Sequence, residues 1–116
     1  MISKSPLRYP GGKVKLYTFM SNLINENTDN PPVYVEPFAG GAGLALELLF
    51  NGVVNRVKIN DFDPAIYSFW YSITTEETFH LFVDYLDKVE VNIEEWYHQK
   101  DIYLNQSNHI RYSSYP

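Results

Sequence analysis

The feature that most constrains this chain is a glycine-rich turn placed between two kinds of hydrophobic pattern. Glu36-Pro37-Phe38-Ala39-Gly40-Gly41-Ala42-Gly43 follows the short apolar run Val33-Tyr34-Val35 and precedes a helical pattern over 44–50. A strand that ends in a glycine-rich turn and feeds a helix opens a nucleotide-type binding unit. Glycines carry no Cβ, so the backbone turns sharply and another group can approach it closely. The N-terminus of the following helix offers unpaired N–H groups and a partial positive charge.

The rest of the chain reads around this turn. Residues 5–13 hold two prolines and Gly11-Gly12 and form a loop. Leu16, Phe19, Met20, Leu23 and Ile24 recur at helical spacing over 14–25. The polar stretch 26–32 ends in Pro31-Pro32, a break. The first strand is expected over 33–37, and the second begins at Val54 or Val57 and ends at Ile59. Gly52, after Asn51, is expected as a left-handed helix cap. Asp63-Pro64 opens a helix, with Asp63 as N-cap, and Ile66, Phe69, Trp70 and Ile73 follow on one face. Thr74-x-x-Glu77 reads as a capping box for a helix carrying Phe79, Phe82, Val83 and Leu86. Asn92-x-x-Glu95 opens a last helix, with Ile93, Trp96 and Tyr97 on its inner face. From Asn105 onward the chain is polar and aperiodic.

This order is α/β, but it supplies only two parallel strands. Parallel sheets are covered on both faces and need more partners. The expectation is the front part of a longer protein, or one half of a two-chain assembly. At 116 residues the chain is one domain or part of one, and its 45% hydrophobic content suffices for a packed core. It holds no Cys, which excludes disulfides and Cys-ligated zinc and fits a cytoplasmic location. His80, His98 and His109 are scattered without metal-ligand spacing, so no metal is expected. No apolar run reaches the ~20 residues of a membrane span. The net charge of −5 hides an asymmetry: Lys4, Arg8, Lys13 and Lys15 crowd a first segment that contains no acid. That arm suits phosphates, or simply a solvated terminus.

Three elements carry chemistry. The first is the glycine turn. The second is Asp61, which lies 18 residues after Gly43, close to the spacing at which an acid meets ribose hydroxyls. The third is Tyr9-Pro10-Gly11-Gly12-Lys13. It is a poor P-loop, because no Ser or Thr follows Lys13 and no strand precedes it.

In this order the three elements resemble the N-terminal part of the Dam-like (D12 class, alpha-group) DNA adenine-N6 methyltransferases. Arg8-Tyr9-Pro10-Gly11-Gly12-Lys13 matches that family's aromatic-x-Gly-Gly-Lys element, residues 36–43 match its glycine loop, and Asn60-Asp61-Phe62-Asp63 matches its N-D-x-D turn. The resemblance runs from about residue 6 to about residue 75. It implies a Rossmann-like class I methyltransferase fold, here its N-terminal, cofactor-binding portion with a truncated sheet. It also implies S-adenosylmethionine as cofactor and double-stranded DNA as the substrate of the full-length protein.

Carried onto this chain, the resemblance puts Tyr9 and Gly12 at the pocket and Lys13 facing the methionine carboxylate. Pro37, Phe38, Gly40, Gly41 and Gly43 wrap the methionine moiety, and Glu36 offsets its ammonium. Asp61 holds the ribose, and Phe62 packs on the adenine. Arg8 is the expected DNA contact. Glu36 also disfavours the pyrophosphate of a dinucleotide, so a nicotinamide oxidoreductase is the weaker rival.

The family's Asp/Asn-Pro-Pro-Tyr/Phe motif does not occur where a later strand would present it, so no catalytic acceptor residue is expected in this segment. Asn30-Pro31-Pro32-Val33 imitates it but precedes a strand instead of ending one, and Val33 cannot stack like an aromatic ring. Tyr67, Phe69, Trp70 and Tyr71 are expected as core and surface of a helix. The alternative to an enzyme is a non-catalytic cofactor-binding half of a split or decayed methyltransferase.

Overall fold

The computed structural model describes residues 3–105, which fall into two compact units divided between Phe62 and Asp63. The first unit contains a 3-10 turn (Val14–Leu16), α1 (Tyr17–Asn27), β1 (Val33–Glu36), α2 (Gly43–Phe50) and β2 (Arg56–Ile59). The β-branched and aromatic residues of Val33-Tyr34-Val35 favour extended backbone. Pro31 and Pro32 keep the preceding residues out of a helix. β1 and β2 pair in parallel, Val33 beside Arg56 through Glu36 beside Ile59, with α2 as the crossover. The result is an α/β unit with a small two-stranded parallel sheet among the described residues.

Helix α2 is apolar on almost every face and forms the core. Leu44, Leu48 and Val54 are fully buried, surrounded by Tyr17, Met20, Ile24, Tyr34, Leu49, Val53 and Val57. Each such side chain contributes roughly 1.5–3 kcal/mol by leaving water. Helix α1 therefore presents Tyr17, Met20 and Ile24 to the core, while Leu16, Phe19 and Leu23 stay exposed. Gly52 takes a left-handed φ of 70° just past α2, as its sequence position predicts.

The second unit comprises α3 (Pro64–Thr74), α4 (Glu76–Lys88) and α5 (Ile93–Asn105). Asp63 caps α3: its Oδ1 accepts from the Ala65 N–H at 2.8 Å, and its Oδ2 accepts from the Tyr103 hydroxyl at 2.9 Å. Phe69 meets Trp70 and Phe82 edge-on, and Tyr67 stacks on Tyr71, so these aromatics serve core and surface as expected.

Two local expectations are corrected here. Thr74 does not start a capping box: it ends α3, its hydroxyl donating back to the Trp70 carbonyl at 2.6 Å. Thr75 is the N-cap of α4 and makes no side-chain cap bond. Thr74 is still within α3, with its hydroxyl turned back along that helix, and the extended backbone of an N-cap comes one residue later, at Thr75. Ile93, Trp96 and Tyr97 are not an inner face either, being 57%, 53% and 61% exposed. The face of α5 that meets α4 is polar: Gln99 donates to the Tyr85 hydroxyl and to Glu95. Asn92 does cap α5, accepting from the Glu95 N–H at 2.8 Å. The polar tail over 106–116, including His109, lies outside the described residues.

Candidate functional site

Glu36 and Asp61 stand at the carboxyl ends of β1 and β2, where ligands bind in open α/β sheets. Backbone bonds lock the two ends together. Asn60 N–H donates to Glu36 O at 3.0 Å, and Ala39 N–H donates to Asn60 O at 2.9 Å. The loop between β1 and α2 is thereby held against the end of β2.

Both acids are buried, Glu36 at 4% exposure and Asp61 at 8%. Asp61 Oδ2 accepts from Gly40 N–H at 2.7 Å. A charged acceptor on a buried N–H is a strong bond, so Asp61 shapes the glycine loop as well as standing beside it. Gly40 has φ 49°, a left-handed conformation that suits glycine. A Cβ there would lie 2.7 Å from the Tyr9 ring. The close approach read from the glycines is therefore made, at Gly40, by the chain's own Tyr9. Ala42 also takes a left-handed φ of 50° where it caps α2. An alanine there stores about 1–2 kcal/mol of backbone strain.

Lys13 closes the site from the other side. Its Nζ lies 2.8 Å from Glu36 Oε1 and donates to Phe38 O at 2.7 Å. The sequence reading set Lys13 against a ligand carboxylate and Glu36 against a ligand ammonium. The structure joins the two side chains to each other. Glu36 Oε2 is buried without a hydrogen-bond partner. A buried carboxylate oxygen left unpaired is costly, and it marks a place for a donor. Glu36 also acts on its neighbour in β1: burial pushes the Tyr34 hydroxyl above its ordinary pKa, and the Glu36 charge adds to the rise.

The remaining expected site residues divide by exposure. Phe62 is 89% exposed and Phe38 70%, so both rings are available to a ligand. Pro37, Gly12 and Arg8 are exposed, while Gly41 and Gly43 are half-buried beneath the N-terminal arm. Asn30-Pro31-Pro32 lies at the amino end of β1, away from the glycine loop, and bonds through Pro32 O to Asn55 N–H. No group of His, Cys, Asp and Glu that could hold a metal occurs among the described residues, and no helix there is long and apolar enough to cross a membrane.

The sequence reading missed Glu47. It is 3% exposed on α2, close to Lys4, with its Oε1 buried and unpartnered. The signal was present: one carboxylate in the otherwise apolar Gly-Leu-Ala-Leu-Glu-Leu-Leu-Phe helix.

A family model described as D12 class N6 adenine-specific DNA methyltransferase matches residues 9–114. The match takes in all three motifs and continues well past residue 75. No curated protein and no solved structure matches the chain.

Proposed function

This chain belongs to the D12 class N6 adenine-specific DNA methyltransferase family, and on that premise we propose that it supplies the S-adenosylmethionine site of a Rossmann-like enzyme that methylates adenine N6 in duplex DNA. The observation that carries the reading is the orphaned Glu36 Oε2 at the carboxyl end of β1. A buried anionic oxygen with no donor fits a ligand ammonium, and the methionine end of the cofactor has one. The same oxygen repels the phosphates of a dinucleotide.

The residues present fit the rest of the group. Lys13 shares its charge between Glu36 and a ligand carboxylate. The backbone from Pro37 to Gly43 follows the methionine chain. Asp61 combines its bond to Gly40 with the ribose hydroxyls, since a carboxylate has about four acceptor positions. The exposed ring of Phe62 covers one face of the adenine, a contact worth roughly 0.5–1.5 kcal/mol. The cofactor, when bound, supplies a methyl group on a sulfonium. This segment binds and orients it and keeps water from its charged end.

The sequence contains no Asp/Asn-Pro-Pro-aromatic motif to accept hydrogen bonds from N6 and stack on a flipped-out adenine. We therefore expect the purified chain to bind cofactor but to transfer no methyl group. Arg8, exposed beside Tyr9, is the proposed DNA contact. The proposed location is the cytoplasm.

Equilibrium titration tests the cofactor reading. S-adenosylhomocysteine is expected to bind and NAD to fail. Glu36→Gln is expected to weaken binding by roughly tenfold, the equivalent of one charge-assisted contact. NAD binding in preference to S-adenosylhomocysteine would overturn the reading. Methylation of unmethylated duplex DNA by the chain alone would overturn the expected inactivity.

A further inference from the structure

The glycine loop is covered along one side by the chain's own N-terminal arm. Ser3 Oγ lies 3.1 Å from the place of a Cβ on Gly43, Ser5 Oγ 2.8 Å from one on Gly41, and the Tyr9 ring 2.7 Å from one on Gly40. Residues 3–9 thus run as a strap against the direction of the loop, filling the clearance its glycines leave. The strap is braced internally. Ser3 Oγ accepts from Ser5 N–H, and Ser5 Oγ donates to Leu7 O and accepts from Leu7 N–H.

One ion pair ties this strap to α2. Lys4 Nζ lies 3.8 Å from Glu47 Oε2 and 5.5 Å from the centre of the Phe50 ring. Asn51 Nδ2 donates to the same Glu47 oxygen at 3.0 Å. Glu47 Oε1 remains buried without a partner. Packing does not account for an acid here, because a leucine would fill this helical position without burying a charge. A buried carboxylate that loses its nearby cation is strongly disfavoured. The charge of Glu47 has a use only if something is to be held against it, and Lys4 is what stands there.

We propose that Lys4 and Glu47 form a latch that holds the strap on the glycine loop, and that both are positioning residues for the ligand at that loop. The latch keeps the Tyr9 ring against Gly40 as a wall of the site. The ligand part of this inference rests on reading the loop as the S-adenosylmethionine site; the latch itself does not.

The test uses the whole chain and two readouts. The first is the rate of tryptic cleavage after Arg8, which reports strap opening without any ligand. The second is the affinity for S-adenosylhomocysteine. Lys4→Met and Glu47→Gln are each expected to raise cleavage after Arg8 by roughly tenfold, in proportion to the open population. The double variant is expected to be no worse than either single one, as for two partners in one interaction. Lys4→Arg is expected to restore slow cleavage. Affinity is expected to fall about three- to tenfold in the same variants, while the unfolding midpoint of Lys4→Met, a half-exposed side chain, stays close to that of the parent.

Unchanged cleavage in both single variants, or additive effects in the double, would overturn the latch. Should Glu47→Gln fail to fold, the Lys4→Met and Lys4→Arg pair decides alone. Faster cleavage with unchanged affinity would overturn the positioning role. Cleavage that follows the latch pattern in a chain that binds no S-adenosylhomocysteine would sustain the latch and defeat the cofactor reading instead.

Discussion

In the first unit Leu44, Leu48 and Val54 are sealed from solvent around α2, whereas among the described residues of the second unit Trp70 is the buried apolar side chain, and α4 and α5 bury none. The first unit closes a core between helices and a sheet. The second holds α5 to α4 with polar bonds through Tyr85, Glu95 and Gln99. The groups proposed to bind cofactor, Glu36, Gly40 and Asp61, all stand on the close-packed unit. Dense packing keeps such groups in place before a ligand arrives, and polar surface contacts open more readily.

The largest effect is expected from attacking the core itself. Leu48→Ala should destabilise the first unit by about 2–5 kcal/mol, through lost burial and the cavity left behind. Leu86→Ala on α4, at a side chain that is 53% exposed, should cost under about 1 kcal/mol. Both tryptophans, Trp70 and Trp96, lie in the second unit. Their fluorescence in urea follows that unit, and hydrogen exchange at the Leu48 amide follows the first. Equal costs for the two substitutions would erase the contrast.

A smaller effect is expected at the glycine loop. Gly40→Ala should cost about 1–3 kcal/mol, from left-handed backbone strain and from collision with the Tyr9 ring. The same change in a Tyr9→Ala background should cost less, since the strain remains and the collision is gone. An identical cost in both backgrounds would show that Tyr9 does not press on the loop in solution.

The smallest effects concern pH, and they point in opposite directions in the two units. Hydrogen bonds, first from Gln99 and then from His98 and Tyr85, hold the Glu95 carboxyl below its ordinary value of 4.5 despite some desolvation. Because the folded pKa is depressed, this support is present above 4.5 and fades as pH falls. Burial, and then the charge of Glu36, hold the Tyr34 hydroxyl above its ordinary 10.0. A raised folded pKa gives support that is complete below 10.0 and is lost as pH climbs past the folded value. Amide exchange should therefore loosen α5 first in acid and β1 first in base. Loosening of β1 ahead of α5 in acid would break the pattern.

Much of this was legible along the chain because it depends on neighbours in sequence. Asp63-Pro64 caps α3 whatever lies beyond it. Pro31-Pro32 ends one segment, Val33-Tyr34-Val35 begins another, and Gly52 stops α2. The failures came where two local solutions compete or where a partner is remote. Thr74 could cap forward or bond backward, and only the continuation of α3 chose the second. The faces of α1 and α5 depend on what stands opposite. Apolar spacing alone did not separate Met20 and Ile24, which are packed, from Phe19 and Leu23, which are not.

By itself, the sequence determined the family, the order of elements and the three motifs that converge on the ends of two strands. These follow from residue types and spacings that act over a few positions. Tertiary structure alone decided how the charges pair. Lys13 reaches Glu36, Asp61 ties down Gly40, and Lys4 stands over Glu47, because folding brings together residues far apart in the chain. It also decided which polar atoms remain unsatisfied. Burial is a property of the packed molecule, and an orphan oxygen on Glu36 exists only once the core has closed around it.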